Sequence, residues 1–297
     1  MKVHRGKKAA PDRVLLVGIE GVGKSTFAAA FDTPIFIAAE DGVRHLEVDS
    51  LEDAEDYDGV LRALNDLMVE EHDYKTVVID SLDWVDHLVR DKVMLSQGWS
   101  GASGQEKFES YGRGHKFAMS WWRELHAAID RLHNMKNMGV VLIAHAKVKN
   151  HKNPNGEDWM RYEPILGGDQ AAQMWKAWAD AVLFATHEVR VDEDNRKGKS
   201  TGRRVLHTEW SAGFDAKNRY GLPAVMPLDY ASYQKAREAG QNPAKLVSQI
   251  QDLLTELGDE AKRVEVEAFL LRNPGPQALS AAVNRLECLI GERSSDA

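Results

Sequence analysis

The sequence predicts an α/β fold, with a mostly parallel central sheet flanked by helices and a small C-terminal helical module. Three observations predict it. Short apolar runs alternate with stretches whose apolar residues recur at helical spacing, the mark of βαβ units. A glycine-rich turn, GIEGVGKST (Gly18 to Thr26), joins the first apolar run to a small-residue helix. From about residue 241 the strand-like runs stop and only helical patterns remain.

RVLLVG, 13–18, is a short apolar run ending in glycine and reads as a buried parallel strand. A helix is expected from about Lys24 through STFAAAF. DTPIFIAAED, 32–41, reads as the second strand, with Pro34 at its beginning, where proline is tolerated. The stretch 51–72 is acidic, with Leu61, Leu64, Leu67 and Met68 at helical spacing. YKTVVIDS, 74–81, reads as a third strand, and SLDWVDHLVRDKVM as the helix after it. Residues 96–114 are rich in glycine and serine and read as a loop. A long helix follows, HKFAMSWWRELHAAIDRLHNMKN, with Gly139 as its C-cap. GVVLIAHAK, 139–147, reads as the fourth strand, and 148–168 as a long polar loop. QAAQMWKAWAD is helical and AVLFATHEV is a fifth strand. DEDNRKGKSTGRR reads as a polar hairpin tip and VLHTEWSA as the returning strand. The tail holds helices over roughly 243–257, 259–272 and 277–290, separated by Gly258 and NPGP. The expected domains are a basic arm over 1–12, a core over 13–240 and the helical module over 241–297.

The 297 residues suit one elaborated domain or a large one with a small one, and 43% hydrophobic content supports a sizeable core. The formal charge of −8 is not that of a dedicated duplex-DNA binder, so any nucleic-acid contact must come from local patches. Cys288 is the single cysteine. It excludes an intramolecular disulfide and a cysteine-based zinc site, and a reducing, cytoplasmic setting is expected. The basic start, MKVHRGKKAAPDR, lacks the apolar core of a signal peptide. No run of 18 apolar residues exists, so no membrane association is expected.

GIEGVGKST fits the pattern G-x-x-x-x-G-K-[ST]. Such a turn works because backbone N–H groups converge on phosphate oxygens, and side chains at Gly18, Gly21 and Gly23 would block that approach. Val22 and Thr26 complete the phosphate-binding segment. Lys24 is placed to reach the β- and γ-phosphates, and Ser25 to ligate Mg²⁺. Asp80, closing the strand TVVID, is the expected acid of the magnesium shell. Neighbouring Ser81 and Asp83 either share that role or cap the helix beginning there. Hydrolysis needs a group that orients water. Glu40 closes IFIAAE and would point into the site if its strand neighbours the phosphate-loop strand. His145 closes the fourth strand, at the edge where ligand crevices form, and a neutral histidine there suits contact with the γ-phosphate.

In this chain order, GIEGVGKST, IFIAAED, TVVIDS and LIAHAK resemble the RecA-like P-loop NTPase core of recombinases and helicases. RecA carries glutamine where this chain has His145. More closely, IAAEDG, VIDSL, YGRGHKFAMSWWREL, VVLIAHAK and GFDAKNRYGLP look like the phage-encoded RecA-like ATPases of the Sak-four type, described as single-strand annealing proteins. The resemblance covers roughly residues 11–230. It implies ATP and Mg²⁺ as cofactors, single-stranded DNA as partner, a homo-oligomeric ring or filament, contact with a single-stranded-DNA-binding protein, and a bacterial host cytoplasm. It implies that the stretch after His145 binds the single strand through Lys147, Lys149, Lys152, Trp159 and Arg161, cations interleaved with aromatics. It also implies that Lys217 and Arg219 reach the nucleotide of a neighbouring subunit and stabilise charge in the transition state. Two other readings remain at this point. One is a DnaB-like helicase or helicase loader. The other is a P-loop small-molecule kinase, whose lid the polar stretch 191–204 would imitate.

Overall fold

The computed structural model describes residues 10–38, 44–51, 54–191, 198–241, 243–272 and 274–295. The described residues form two compact units. One runs to Val182 and includes Ala212–Phe214; the other holds Leu183–Ser211 and the residues from Asp215 onward.

The first unit runs β1 (Arg13–Gly18), α1 (Lys24–Ala29), β2 (Pro34–Ala38), β3 (Asp49–Leu51), α2 (Tyr57–Val69), β4 (Thr76–Asp80), α3 (Leu82–Ser96), α4 (Gly101–Glu109), α5 (Arg113–Lys136), β5 (Gly139–His151), β6 (Trp159–Pro164) and α6 (Asp169–Trp178). Five strands pair in parallel in the order β1-β5-β4-β2-β3, and β6 pairs antiparallel with the far half of β5. The parallel strands read as unbroken apolar runs because helices cover both faces. Val14 to Leu16, Phe36, Ile37, Val77 to Ile79 and Val140 to Ala144 are all fully buried. On α5, Trp122, Leu125, Ile129 and Leu132 recur at three- and four-residue spacing and are buried, one stripe facing the core.

Several elements depart from expectation. Residues 96–114 are not a loop, since α4 and a 3₁₀ turn at Ser110–Gly112 occupy most of them. Two of the glycines there, Gly104 and Gly114, serve close packing. A Cβ on Gly114 would lie 2.2 Å from the buried Phe108 ring, and one on Gly104 would lie 2.9 Å from the Trp99 backbone. The long helix is capped by Asn137 in the left-handed region (φ 56°), not by Gly139, which opens β5. The stretch 148–168 is largely a two-stranded ribbon, because β5 continues to His151 and β6 returns beside it. The short strand β3 was not anticipated, since three residues carry no periodicity.

In the second unit, β7 (Ala181–Val191, entering this unit at Leu183) pairs antiparallel with β8 (Gly198–His207) as a hairpin, but residues 198–204, expected in its tip, already belong to the returning strand, which ends at His207. β9 (Lys217–Asn218) pairs with β7, and β10 (Val225–Pro227) with β8. Helices α7 (Tyr230–Gln241), α8 (Pro243–Leu257), α9 (Glu260–Leu270) and α10 (Pro276–Ser295) follow. Leu246, Ile250, Leu254 and Leu257 of α8 meet Leu279, Val283 and Leu286 of α10 in a core of their own. Burying each such side chain contributes roughly 1.5–3 kcal/mol.

Candidate active site

The parallel sheet brings its carboxyl-terminal strand ends to one edge. In register, Gly18 of β1 faces His145 of β5, and Ala38 of β2 faces Asp80 of β4. The turn after β1 needs its glycines for backbone reasons. Gly21 and Gly23 have φ of 70° and 103°, which side-chain-bearing residues rarely adopt. A Cβ on Gly21 would meet nothing within 4 Å, so conformation rather than space dictates the residue. Val22 is fully buried and anchors the turn, while Thr26 sits exposed in the first turn of α1.

Lys24 is buried, and its Nζ donates to the carbonyls of Ile19 (2.9 Å) and Gly18 (3.2 Å). The ammonium is therefore held inside the turn by two backbone carbonyls. The Ser25 hydroxyl donates to Oδ2 of Asp80 at 2.5 Å, across 55 residues of sequence. Burial pushes the Asp80 carboxyl above the ordinary carboxylate range, although the Ser25 bond and the Lys24 charge oppose the shift. A buried carboxylate beside a hydroxyl is a pair of hard oxygen donors that a small dication would compensate. The donor set therefore fits Mg²⁺, held through Ser25 and Asp80, and the lysine-bearing turn fits a nucleotide's phosphates.

Ser81 and Asp83 separate in role. Ser81 caps α3, its Oγ accepting from the Trp84 N–H at 3.4 Å. Asp83 turns to β5 instead. Its two oxygens accept from the backbone N–H of His145 (3.0 Å) and meet the ring Nδ1 (2.9 Å). Burial works against the Asp83 carboxylate, but the bonds from His145 outweigh it and hold the group below its ordinary range. The link spans 62 residues, so no local pattern announces it.

Glu40 lies outside the described residues. The condition attached to it is not met: among the described residues β2 pairs with β4 and β3, not with β1. β2 ends at Ala38, in register with Asp80.

The residues after His145 lie on the β5–β6 ribbon. Lys149 is opposite Arg161, His151 opposite Trp159, and Lys147 opposite Glu163, so Lys147, Lys149, Trp159 and Arg161 share one face. They are not an open basic loop. Lys149 pairs with Asp169 (2.7 Å) and Glu163 (3.5 Å), and Lys152 with Asp158 (2.6 Å). Trp159 donates to the Ala212 carbonyl (2.8 Å) and its ring lies 4.6 Å from that of His151. Arg161 is buried, whereas Lys147 is exposed. Beside this face is a cavity of about 310 Å³ lined by His115, Lys147, Lys149, Glu163 and Asp169. Under its rim, burial raises the Asp86 carboxyl, which accepts from the Gly167 N–H. In the second unit, half-buried Lys217 opens β9 and exposed Arg219 follows Asn218. The Asn218 side chain ties that turn to Leu222 O (2.8 Å) and the Tyr220 N–H (2.9 Å).

A family model described as AAA domain matches residues 10–220, well over half the chain and all of the site above. The chain belongs to this AAA-domain family. The AAA domain here is thus a P-loop NTPase by both family and site. Comparison with curated proteins gives no match. One solved structure with similarity is titled "Crystal structure of the RadB recombinase"; it is 14% identical, with a TM-score of 0.38, covering 69% of this chain and 86% of that one. No helix among the described residues is long and apolar enough to cross a membrane.

Proposed function

We propose that the protein is an ATP-hydrolysing, single-stranded-DNA-binding protein acting in homologous recombination or strand annealing, as a homo-oligomer. The observation that carries the ATPase part is the Ser25–Asp80 bond beside the buried Lys24. Lys24 neutralises the β- and γ-phosphates, and the loop amides orient them for in-line attack. Ser25 and Asp80 hold Mg²⁺, which would supply further charge neutralisation at those oxygens. Glu40 polarises the attacking water, a role supported by the RecA-like motif order alone. Arg219, with Lys217, reaches a neighbouring subunit's nucleotide and stabilises the charge that develops there.

The DNA part rests on β5. One strand runs from His145 at the nucleotide edge into the ribbon that carries Lys147 and Lys149. A single strand engaging that ribbon, with Lys152, Trp159 and Arg161, would displace the acids now paired with Lys149 and Lys152.

The test is product identity. Full-length protein given ATP and Mg²⁺ should release inorganic phosphate, faster with single-stranded DNA. Phosphate transfer to a small acceptor, unmoved by DNA, would make it a kinase instead. Mixing Arg219→Ala with a hydrolysis-dead partner that keeps Arg219 should restore activity; no restoration refutes the action across subunits.

A further inference from the structure

The cavity beside the ribbon, about 310 Å³, is lined from β5, β6, α5 and the start of α6. The turn Gly167–Gly168 passes along it, and both positions demand glycine. A Cβ on Gly167 would lie 2.5 Å from Oδ2 of Asp86. Gly168 has φ of 100°, which side-chain-bearing residues rarely adopt. His115 brings an aromatic ring to the lining, set in place by an edge contact with the buried Phe108 ring at 5.2 Å. The four charged side chains of the lining cancel, Lys147 and Lys149 against Glu163 and Asp169. Lys149 and Asp169 hold each other at 2.7 Å. Glu163 is held more loosely, at 3.5 Å from Lys149 and 3.9 Å from His151, longer than ordinary hydrogen bonds. Lys147 is exposed.

We infer that this cavity is a base pocket: one base of a single strand lying on the ribbon turns out of line, stacks on His115 and donates its exocyclic amine to Glu163, while the adjoining phosphate pairs with Lys147. This rests on the single-strand reading of the ribbon. A phosphate inside the cavity would meet two carboxylates as well as two lysines, so the lining does not select an anion. A neutral planar ring with donors and acceptors on its edge suits it, since bases of single strands stack on aromatic rings, histidine included, and bond through their edges. The volume is at the low end of the roughly 300–1,000 Å³ of small-molecule sites, room for one base and not for a run of nucleotides. Turning a base out costs least in a single strand, where nothing is unpaired. A carboxylate accepts from an amino group, which cytosine, adenine and guanine carry and thymine lacks. The pocket thus gives the ribbon a preference for base type, which phosphate contacts alone do not give.

The experiment compares the affinity of the full chain for dye-labelled oligodeoxycytidine and oligothymidine of equal length, by fluorescence anisotropy at one salt concentration. The expected result is tighter binding of the cytidine strand by about tenfold, the scale of one well-made base-edge contact. Ala172 of α6 lines the cavity and carries no charge. Ala172→Leu fills the space without removing a polar group, so the cytidine strand should fall to the affinity of the thymidine strand, which should not change. Glu163→Met removes the acceptor at similar length and should also bring the two affinities together, whatever it does to both. A merely structural role for either residue would weaken both strands alike and leave their ratio standing. Equal affinities in the wild type, or a ratio that survives both variants, overturns the inference. So does cytidine monophosphate binding as tightly as the strand, which would make the cavity a free-nucleotide site. If neither strand binds, the single-strand reading fails and the pocket with it; if both bind equally, only the pocket fails.

Discussion

Asp80→Asn separates metal binding from folding. The Asn side chain keeps an oxygen that can accept from Ser25, which now donates to Oδ2 at 2.5 Å, so packing is preserved. What is lost is a buried charge, and burial pushes that carboxyl up in the folded protein. Removing the charge relieves a folding penalty, so without metal the variant should melt at or above the wild type at neutral pH. With Mg²⁺ and ATP at about 100 times the dissociation constant, binding stabilises the wild type by about 2.7 kcal/mol. For a unit of this size, roughly 2–4 °C per kcal/mol turns that into about 5–11 °C of thermal shift. Differential scanning fluorimetry with ATP, with and without Mg²⁺, measures it. The variant should lose most of the Mg²⁺-dependent part. Retention of the full shift, or a metal-free variant that melts well below the wild type, would refute the assignment of Asp80 to the metal.

Lys24→Ala should abolish measurable phosphate release, a loss of at least about 10²-fold, since the charge on the transferred group loses its fixed counter-charge; residual activity near wild type in a malachite-green assay would count against the loop. Replacing Lys147, Lys149 and Lys152 together by Gln should weaken single-strand binding and flatten its log–log salt dependence by about 2, at roughly 0.7 per phosphate contact; an unchanged slope in fluorescence anisotropy moves the DNA contact elsewhere. Asp86→Asn should stabilise the protein in a pH-dependent way. Burial raises the folded Asp86 carboxyl, so the wild type loses stability as pH climbs from the ordinary carboxylate range through the raised value, and the variant does not. Denaturant melts across that range should show the gap opening upward in pH; a gap that opens downward would reverse the sign of the argument.

The parallel core was legible because strands buried on both faces leave continuous apolar runs, as in VLLV and TVVI. The phosphate turn was legible because its glycines answer a backbone demand that sequence writes directly, at Gly21 and Gly23. Helix α4 was not, since GASGQEKFE has loop composition, and its helix depends on Phe108 finding room over Gly114, a tertiary fact. The β5–β6 ribbon was hidden by polar residues that alternate with exposed Val148 and Met160, so neither face looks like a core. Side-chain partners across long separations were the least legible. The lysines after His145 read as open cations until Asp158, Glu163 and Asp169 were placed beside them. Asp83 read as a helix cap or a second acid of the magnesium shell until His145, 62 residues away, took both its oxygens.

The central claim is that the nucleotide site and the single-strand ribbon act as one device through β5. Linkage makes this measurable from either side. The most direct measurement is the affinity of the full chain for a short single-stranded oligonucleotide, with and without a non-hydrolysable ATP analogue and Mg²⁺. The account predicts tighter binding with the analogue, by about 5-fold or more, and no such gain in Lys24→Ala. Equal affinity with and without nucleotide in the wild type would contradict it.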